Sequence, residues 1–258
     1  MSKEKGSLSI HSENIFPIIK KWLYSDHDIF IRELISNGCD AITKLKKLNT
    51  LGEATISDDT AFKIEVFVDE KNSTLTFVDN GLGMTEEEVK KYINQIAFSG
   101  AEDFLNKYKD KTNDDQIIGH FGLGFYSAFM IAERVEINTK SYQDAPAVKW
   151  VCEGGTDFEM EEGDRTERGT QIILYVSEDG KEFLNEYKVK STIEKYCSFM
   201  PYEIYLTNPN KEVTKEESDE AETESVEVEA PKPLNTTTPL YAKKPNECTD
   251  EEYKEFYR

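Results

Sequence analysis

Three short stretches of this sequence hold residues able to recognise a flat, amino-bearing, phosphorylated ligand. The first is Phe77-Val-Asp-Asn-Gly-Leu-Gly-Met84, an apolar run that ends in an aspartate and two glycines. A carboxylate at the end of a buried strand is costly unless a donor satisfies it, and a ligand amino group is one such donor. Gly81 and Gly83 give the backbone room for a flat ring, and Met84 offers an adaptable apolar contact. An ordinary Asp-Asn-Gly turn is the plain alternative. The second stretch is Gly119-His-Phe-Gly-Leu-Gly-Phe125, whose glycines leave backbone N–H groups able to converge on phosphate beside a helix-like Tyr126–Ala132. It is neither a P-loop, since no Gly-Lys-Ser/Thr follows, nor a dinucleotide G-x-G-x-x-G. The third is the helix containing Ile31–Ala41, on which Glu33, Asn37, Asp40 and Lys44 recur at i, i+4, i+7 and i+11 and so stack on one helical face. A solvated polar face would look the same.

Positioning these groups falls to recognisable elements. Ile31, Leu34, Ile35, Gly38, Ala41, Ile42 and Leu45 form an apolar stripe on a helix expected from about Asp28 to Leu48. Ser12 can cap an earlier helix carrying Ile15, Ile18, Ile19, Trp22 and Leu23. Phe62–Val68 alternates as a half-buried strand, turns at Asp69–Asn72 and continues as Thr74–Val78. Thr85-Glu-Glu-Glu88 has the form of a capping box, which starts a helix just after Met84. Further strands are expected at Arg134–Lys140, Val148–Glu153, Phe158–Glu161 and Thr170–Val176, and a helix over 181–200. Helices, a hairpin and then short-connected strands make an α+β class with a mostly antiparallel sheet. Lys211–Pro233 is rich in Glu, Ser, Thr and Pro and reads as an acidic linker.

The chain has 51 acidic and 31 basic residues, a net charge of −20, which disfavours nucleic acid and anionic membranes as partners. Its four scattered cysteines form no CxxC pair, which excludes a zinc ribbon and suggests a reducing compartment. With no apolar signal core in residues 1–10 and no membrane-length apolar run, a cytoplasmic location is expected.

The motifs at Glu33–Ala41, Asp79–Met84, Gly119–Phe125 and Gly169-Thr170 occur in an order that resembles the ATPases of type II topoisomerases, MutL mismatch-repair proteins, histidine kinases and ninety-kilodalton heat-shock chaperones. Tyr24–Ala41, Ile96-Ala-Phe-Ser-Gly100 and Gly119–Phe125 are similar to the chaperones in particular, and to their bacterial cytosolic branch. Pro239–Tyr257 resembles the opening of that family's middle domain. The resemblance implies a two-layer α/β sandwich with helices on one face of a mixed sheet. It also implies an ATP-binding domain over 1–210, a linker over 211–233 and the start of a middle domain over 234–258.

By the same resemblance, ATP and Mg²⁺ are the cofactors. Glu33 is the general base for water, and Asn37 is the metal ligand. Asp40 lies at the inner edge of the pocket, and Ala41 packs near the adenine. Asp79 takes the adenine amino group with Thr170 in support, and Gly83 and Met84 line the base and ribose. Gly119, Phe121, Gly122, Gly124 and Phe125 contact phosphate, and residues 95–125 form a lid. The implied activity is that of an ATP-dependent, stress-response chaperone, homodimeric when whole, acting on unfolded client proteins. Residues 1–258 alone would be monomeric and slow in hydrolysis, because the family's phosphate-contacting arginine lies in the middle domain. The sequence departs from the family at Tyr92, often Asn, and at Phe98, often Lys, the latter removing a phosphate contact. His120 replaces a common Gln, and Cys39 reads as packing. A topoisomerase or MutL-like ATPase, or a non-hydrolysing nucleotide sensor, are the competing readings.

Overall fold

The computed structural model describes residues 26–57, 59–95, 98–108, 117–119, 122–155, 157–211, 232–238 and 249. The helix expected after Ser12, Phe121 and most of the acidic linker lie outside these residues. The stripe on Ile31–Leu45 produces α1 (Ile29–Thr50), whose Ile31, Ile35 and Ile42 are fully buried. A hairpin follows, β1 (Lys63–Asp69) and β2 (Thr74–Asp79), and then α2 (Glu86–Tyr92) and α3 (Gly100–Tyr108). The expected capping box is complete, with Thr85 accepting from the Glu88 N–H at 3.3 Å and Glu88 from the Thr85 N–H at 2.8 Å. A 3₁₀ helix (Gly124–Met130) leads into β3 (Ala132–Lys140), β4 (Val148–Cys152), β5 (Phe158–Glu162) and β6 (Gly169–Val176). A second 3₁₀ helix (Glu178–Leu184), α4 (Glu186–Cys197) and β7 (Glu203–Thr207) complete the described order.

The strands form one sheet in the order β5-β4-β3-β6-β2-β1-β7, antiparallel throughout except for the parallel pair β1–β7. Its register sorts the inward face into rows. Val68, Leu75, Leu174, Val135 and Cys152 make one apolar row, and Val66, Phe77, Ile172, Ile137 and Trp150 make the next. The row after that is Ile64, Asp79, Thr170, Thr139 and Val148, so three polar residues meet where the apolar rows stop. The helices pack on this face, with Phe30 of α1 edge-on to Phe77 at 6.3 Å and to Phe183 at 4.9 Å. The protein is thus an α+β sandwich with a mixed seven-stranded sheet.

Two expectations change. The helix-like stretch after the glycines winds as 3₁₀, with Phe125–Met130 all buried, and β3 already begins at Ala132. The helix expected over 181–200 is split at Asn185, whose side chain accepts from the N–H groups of Tyr187 and Lys188 and so starts α4 afresh. Strand β7 and helix α3 were not foreseen. Beside β7, the Asn235 side chain accepts from the Ile204 N–H at 2.8 Å and donates to Met200 and Tyr202 carbonyls at 2.9 Å each. Residues after the acidic stretch are therefore bonded into the sheet edge.

Gly169 enters β6 at φ +118°, and a Cβ there would lie 2.1 Å from the Asp79 carbonyl oxygen. Gly169→Ala is expected to cost about 2–5 kcal/mol, from backbone strain plus a clash in the row that carries Asp79. Urea denaturation with a midpoint equal to wild type would show that the strand entry relaxes freely.

Candidate nucleotide site

A cavity of about 940 Å³ opens between α1, the loop after β2, α2, α3 and the glycine segment. Glu33, Asn37, Asp40, Ala41, Asp79, Gly83, Met84, Gly119, Gly122, Gly124, Phe125 and Thr170 all line it. The residues singled out from the sequence therefore converge, apart from Phe121, which lies outside the described residues.

At one end, Asp79 closes β2. Its Oδ1 accepts from the Gly81 N–H at 2.8 Å. Burial pushes its carboxyl up to about 7, against the pull of the Gly81 N–H, Arg165, the Thr170 N–H and Arg168. The loop beyond Asp79 runs tight against α1: a Cβ on Gly81 would lie 2.6 Å from that of Ala41, and the Leu82 N–H donates to the Ala41 carbonyl at 3.3 Å. Thr139 was missed by the sequence reading, because a lone threonine inside a strand carries no signal. Fully buried, its hydroxyl sits 2.9 Å from that of Thr170 and accepts from the Met84 N–H at 3.0 Å. It thereby ties β3, β6 and the loop after β2 around Asp79.

At the other end, Asp40 accepts from the N–H groups of Ile118 at 2.8 Å and Gly119 at 2.7 Å, holding the start of the glycine segment on α1. The Gly119 N–H is thus engaged by protein in this structure, where the sequence reading assigns it to phosphate. Gly124 sits over Glu33, close enough that a Cβ would meet the carboxylate at 2.7 Å. Glu33 pairs with the guanidinium of Arg32 at 2.9 Å. The Asn37 carboxamide lies between the two glycines, 3.7 Å from the Cβ position of each, and makes no hydrogen bond among the described residues. Phe125 contributes its backbone here, since its ring is buried edge-on to Trp150 at 5.8 Å. Ser36, also missed, is buried at the cavity wall with a hydroxyl that has no partner among the described residues. Lys44 lies inside the cavity, its ammonium destabilised by burial and supported by the fields of Asp40, Glu88 and Asp103. Cys39 is fully buried, as packing requires. No helix among the described residues is long and apolar enough to cross a membrane.

A half-buried carboxylate at one end of a cavity, with a glycine segment and the Asn37 carboxamide at the other, can take a ligand that presents an amine at one pole and anionic oxygens at the other. Comparison with known proteins points to the same chemistry. Residues 25–156 match the family described as histidine kinase-, DNA gyrase B-, and HSP90-like ATPase. The chain is 51% identical over 257 residues to the chaperone protein HtpG of Bacteroides thetaiotaomicron, covering 98% of this chain and 36% of the relative. It is 48% identical over 261 residues to HtpG of Porphyromonas gingivalis, covering 100% of this chain and 36% of the relative. The match to HtpG of Geobacter sulfurreducens is 37% identical over 266 residues, with 100% and 41% covered. The chain spans about 36% of the length of the Bacteroides and Porphyromonas relatives.

Proposed function

We propose, from the premise that the chain belongs to the histidine kinase-, DNA gyrase B- and HSP90-like ATPase family, that its cavity binds ATP with Mg²⁺ and that the whole protein is an ATP-driven chaperone. The observation that carries the binding mode is Asp79, a half-buried carboxylate at a strand end with one oxygen taken by the Gly81 N–H at 2.8 Å. Its second oxygen accepts the adenine 6-amino group. Thr170 and Thr139 hold the row beside it, and Met84 and Gly83 line the base. Asn37 is a fitting ligand for magnesium, because its carboxamide is open to the cavity and Mg²⁺ needs few protein oxygens when phosphate and water complete its shell. When bound, the ion neutralises phosphate charge. Backbone N–H groups of Gly122, Gly124 and Phe125 meet the phosphates, and Glu33 orients the attacking water. In the whole protein this cycle acts on unfolded clients within a homodimer in the bacterial cytoplasm. The match to HtpG chaperones over nearly the whole chain favours this over a DNA-acting ATPase.

Calorimetry and a thermal shift with ATP, ADP and adenosine test the reading, since any ligand that binds only the native state must raise its melting temperature. A chain that neither binds nor is stabilised by any of the three would overturn it.

Asp79 also sets a pH dependence. Its folded value of about 7 lies above the ordinary 3.8, so the ligand-free fold holds this proton more tightly than the unfolded chain. Stability contributed by that proton is present below about pH 4 and is lost as pH rises through about 7. Adenine binding needs the opposite form, the ionised acceptor. Affinity for adenosine, which has no phosphate to titrate, is therefore expected to be full at pH 8 and to fall by up to about tenfold for each unit below 7. Affinity that rises towards pH 6 would identify the protonated carboxyl as the binding form.

A further inference from the structure

We propose that Lys91, held by Asp103 over the rings of Tyr92 and Phe98, is the cation that receives the nucleotide's phosphate tail on the α2–α3 side of the cavity. The inference rests on the nucleotide reading above and assigns a residue that the motifs do not reach.

Lys91, Tyr92, Phe98 and Asp103 all line the cavity that contains Glu33 and Asn37. The Lys91 ammonium lies 2.5 Å from the Asp103 carboxylate and 5.3 Å from the centroid of each ring. The two rings are 6.4 Å apart and inclined by 32°, which makes a shared platform under the charge. Tyr92 donates its hydroxyl to the same Asp103 carboxylate at 3.3 Å, so the ring and the carboxylate that hold the lysine also hold each other. The first residue of α3, Gly100, is packed so closely that a Cβ would sit 3.3 Å from the Tyr92 ring. A lysine on a helix surface is ordinarily a mobile charge. This one is fixed from three sides.

Its platform adjoins the glycine segment. Gly122, at φ +64°, passes so close to Phe98 that a Cβ would lie 2.5 Å from the Phe98 carbonyl oxygen. Gly124 in the same segment lies close to Glu33. Of the other cations at the cavity, Arg32 lies against Glu33, Lys107 lies over the Tyr108 ring at 4.9 Å, and half-buried Lys44 sits in the fields of three carboxylates. An ammonium has three donors. Asp103 takes one direction and the ring faces another, leaving a donor for an anionic oxygen. A chain of net charge −20 repels a polyphosphate at long range, so a local, preorganised cation is what it needs. Phe98 itself brings no charge to the site; here it serves as the surface on which the charge is mounted.

Residues 1–258 with Lys91→Gln and with Lys91→Arg, titrated with ATP, ADP and adenosine in the presence of Mg²⁺, provide the test. Lys91→Gln should weaken ATP and ADP about five- to tenfold at low salt, with a smaller gap at high salt, as for a partly exposed ionic contact. Adenosine should bind both proteins within about twofold, and Lys91→Arg should keep more ATP affinity than Lys91→Gln, since it keeps the charge over the rings. Unchanged ATP affinity in Lys91→Gln would overturn the proposal. So would an equal loss for adenosine, which would make the cluster a purely structural support of the lid. A wild-type chain that binds none of the three ligands would sink the nucleotide reading along with it, an outcome distinct from wild-type binding that Lys91→Gln leaves intact.

Discussion

Asp79→Asn should lose adenine-nucleotide binding by about 100-fold or more, while the protein melts at an unchanged or higher temperature at pH 8. The two halves come from one geometry. Asp79 accepts from the Gly81 N–H at 2.8 Å, and the Thr170 N–H also favours its ionised form. Its other oxygen is the acceptor for the adenine amine. An asparagine has a single acceptor oxygen. If that oxygen faces the backbone donors, the NH₂ group opposes the adenine amine; if the amide flips, its NH₂ opposes the backbone. One donor–donor contact remains in either orientation, and the charge that strengthened the ligand's bond is gone. For the ligand-free fold the exchange is milder, because burial already raises the carboxyl to about 7 and at pH 8 the protein bears the cost of an ionised buried group. Removing that charge offsets the strained backbone contact. Calorimetry alongside thermal denaturation separates the cases: wild-type affinity would place the adenine elsewhere, and a large fall in melting temperature would make Asp79 a structural residue first.

The parts of this site that were legible in the sequence are those where one residue type has few other uses. The Thr85–Glu88 box is such a case, with both halves of the cap written three residues apart, whereas Asp79 shares its pattern with an ordinary Asp-Asn-Gly turn and stands out only in company with the other motifs. Alternation in β1 and β2 fixed which residues face inward, and the register then brought Asp79 beside Thr170. What could not be read depends on partners distant in the chain. Thr139 matters only because β3 pairs with β6, and a threonine in a strand says nothing of its neighbour. Strand β7 is five residues long, lies parallel to β1 and has its end tied by Asn235, 28 residues beyond Thr207 and across the acidic stretch. Local pattern has no access to that contact. The 3₁₀ path after Gly124 is a matter of tertiary packing too, since its residues are apolar on every side and carry no helical stripe. Lys91 carries no signal of its own in the sequence, and its setting comes from Asp103 and two rings distant in the chain or brought over it by packing.

Glu33→Ala, made in the whole protein, should reduce the turnover number by about 10²–10⁴-fold and leave ATP affinity within about twofold. Glu33 is positioned by the helix on which Asn37 stands one turn away, under Gly124, whose lack of a side chain leaves the carboxylate uncovered: a Cβ would meet it at 2.7 Å. Its ion pair with Arg32 at 2.9 Å joins adjacent residues, and Arg32 is 44% exposed at its side chain. Such a pair contributes little to stability, so the substitution should leave the fold intact. The carboxylate can therefore be spent on water. A group that orients a nucleophile interacts most strongly as the bond forms and little in the ground state, so its removal appears in the rate and not in the dissociation constant. Glu33→Gln sharpens the test, since it keeps the size and one acceptor oxygen but cannot take a proton. If Gln restores the rate, Glu33 acts by position alone; if both variants are slow, proton transfer or charge is required. Affinity and rate falling in proportion would show instead that Glu33 holds the nucleotide, and the water would have to be oriented by another residue of the cavity.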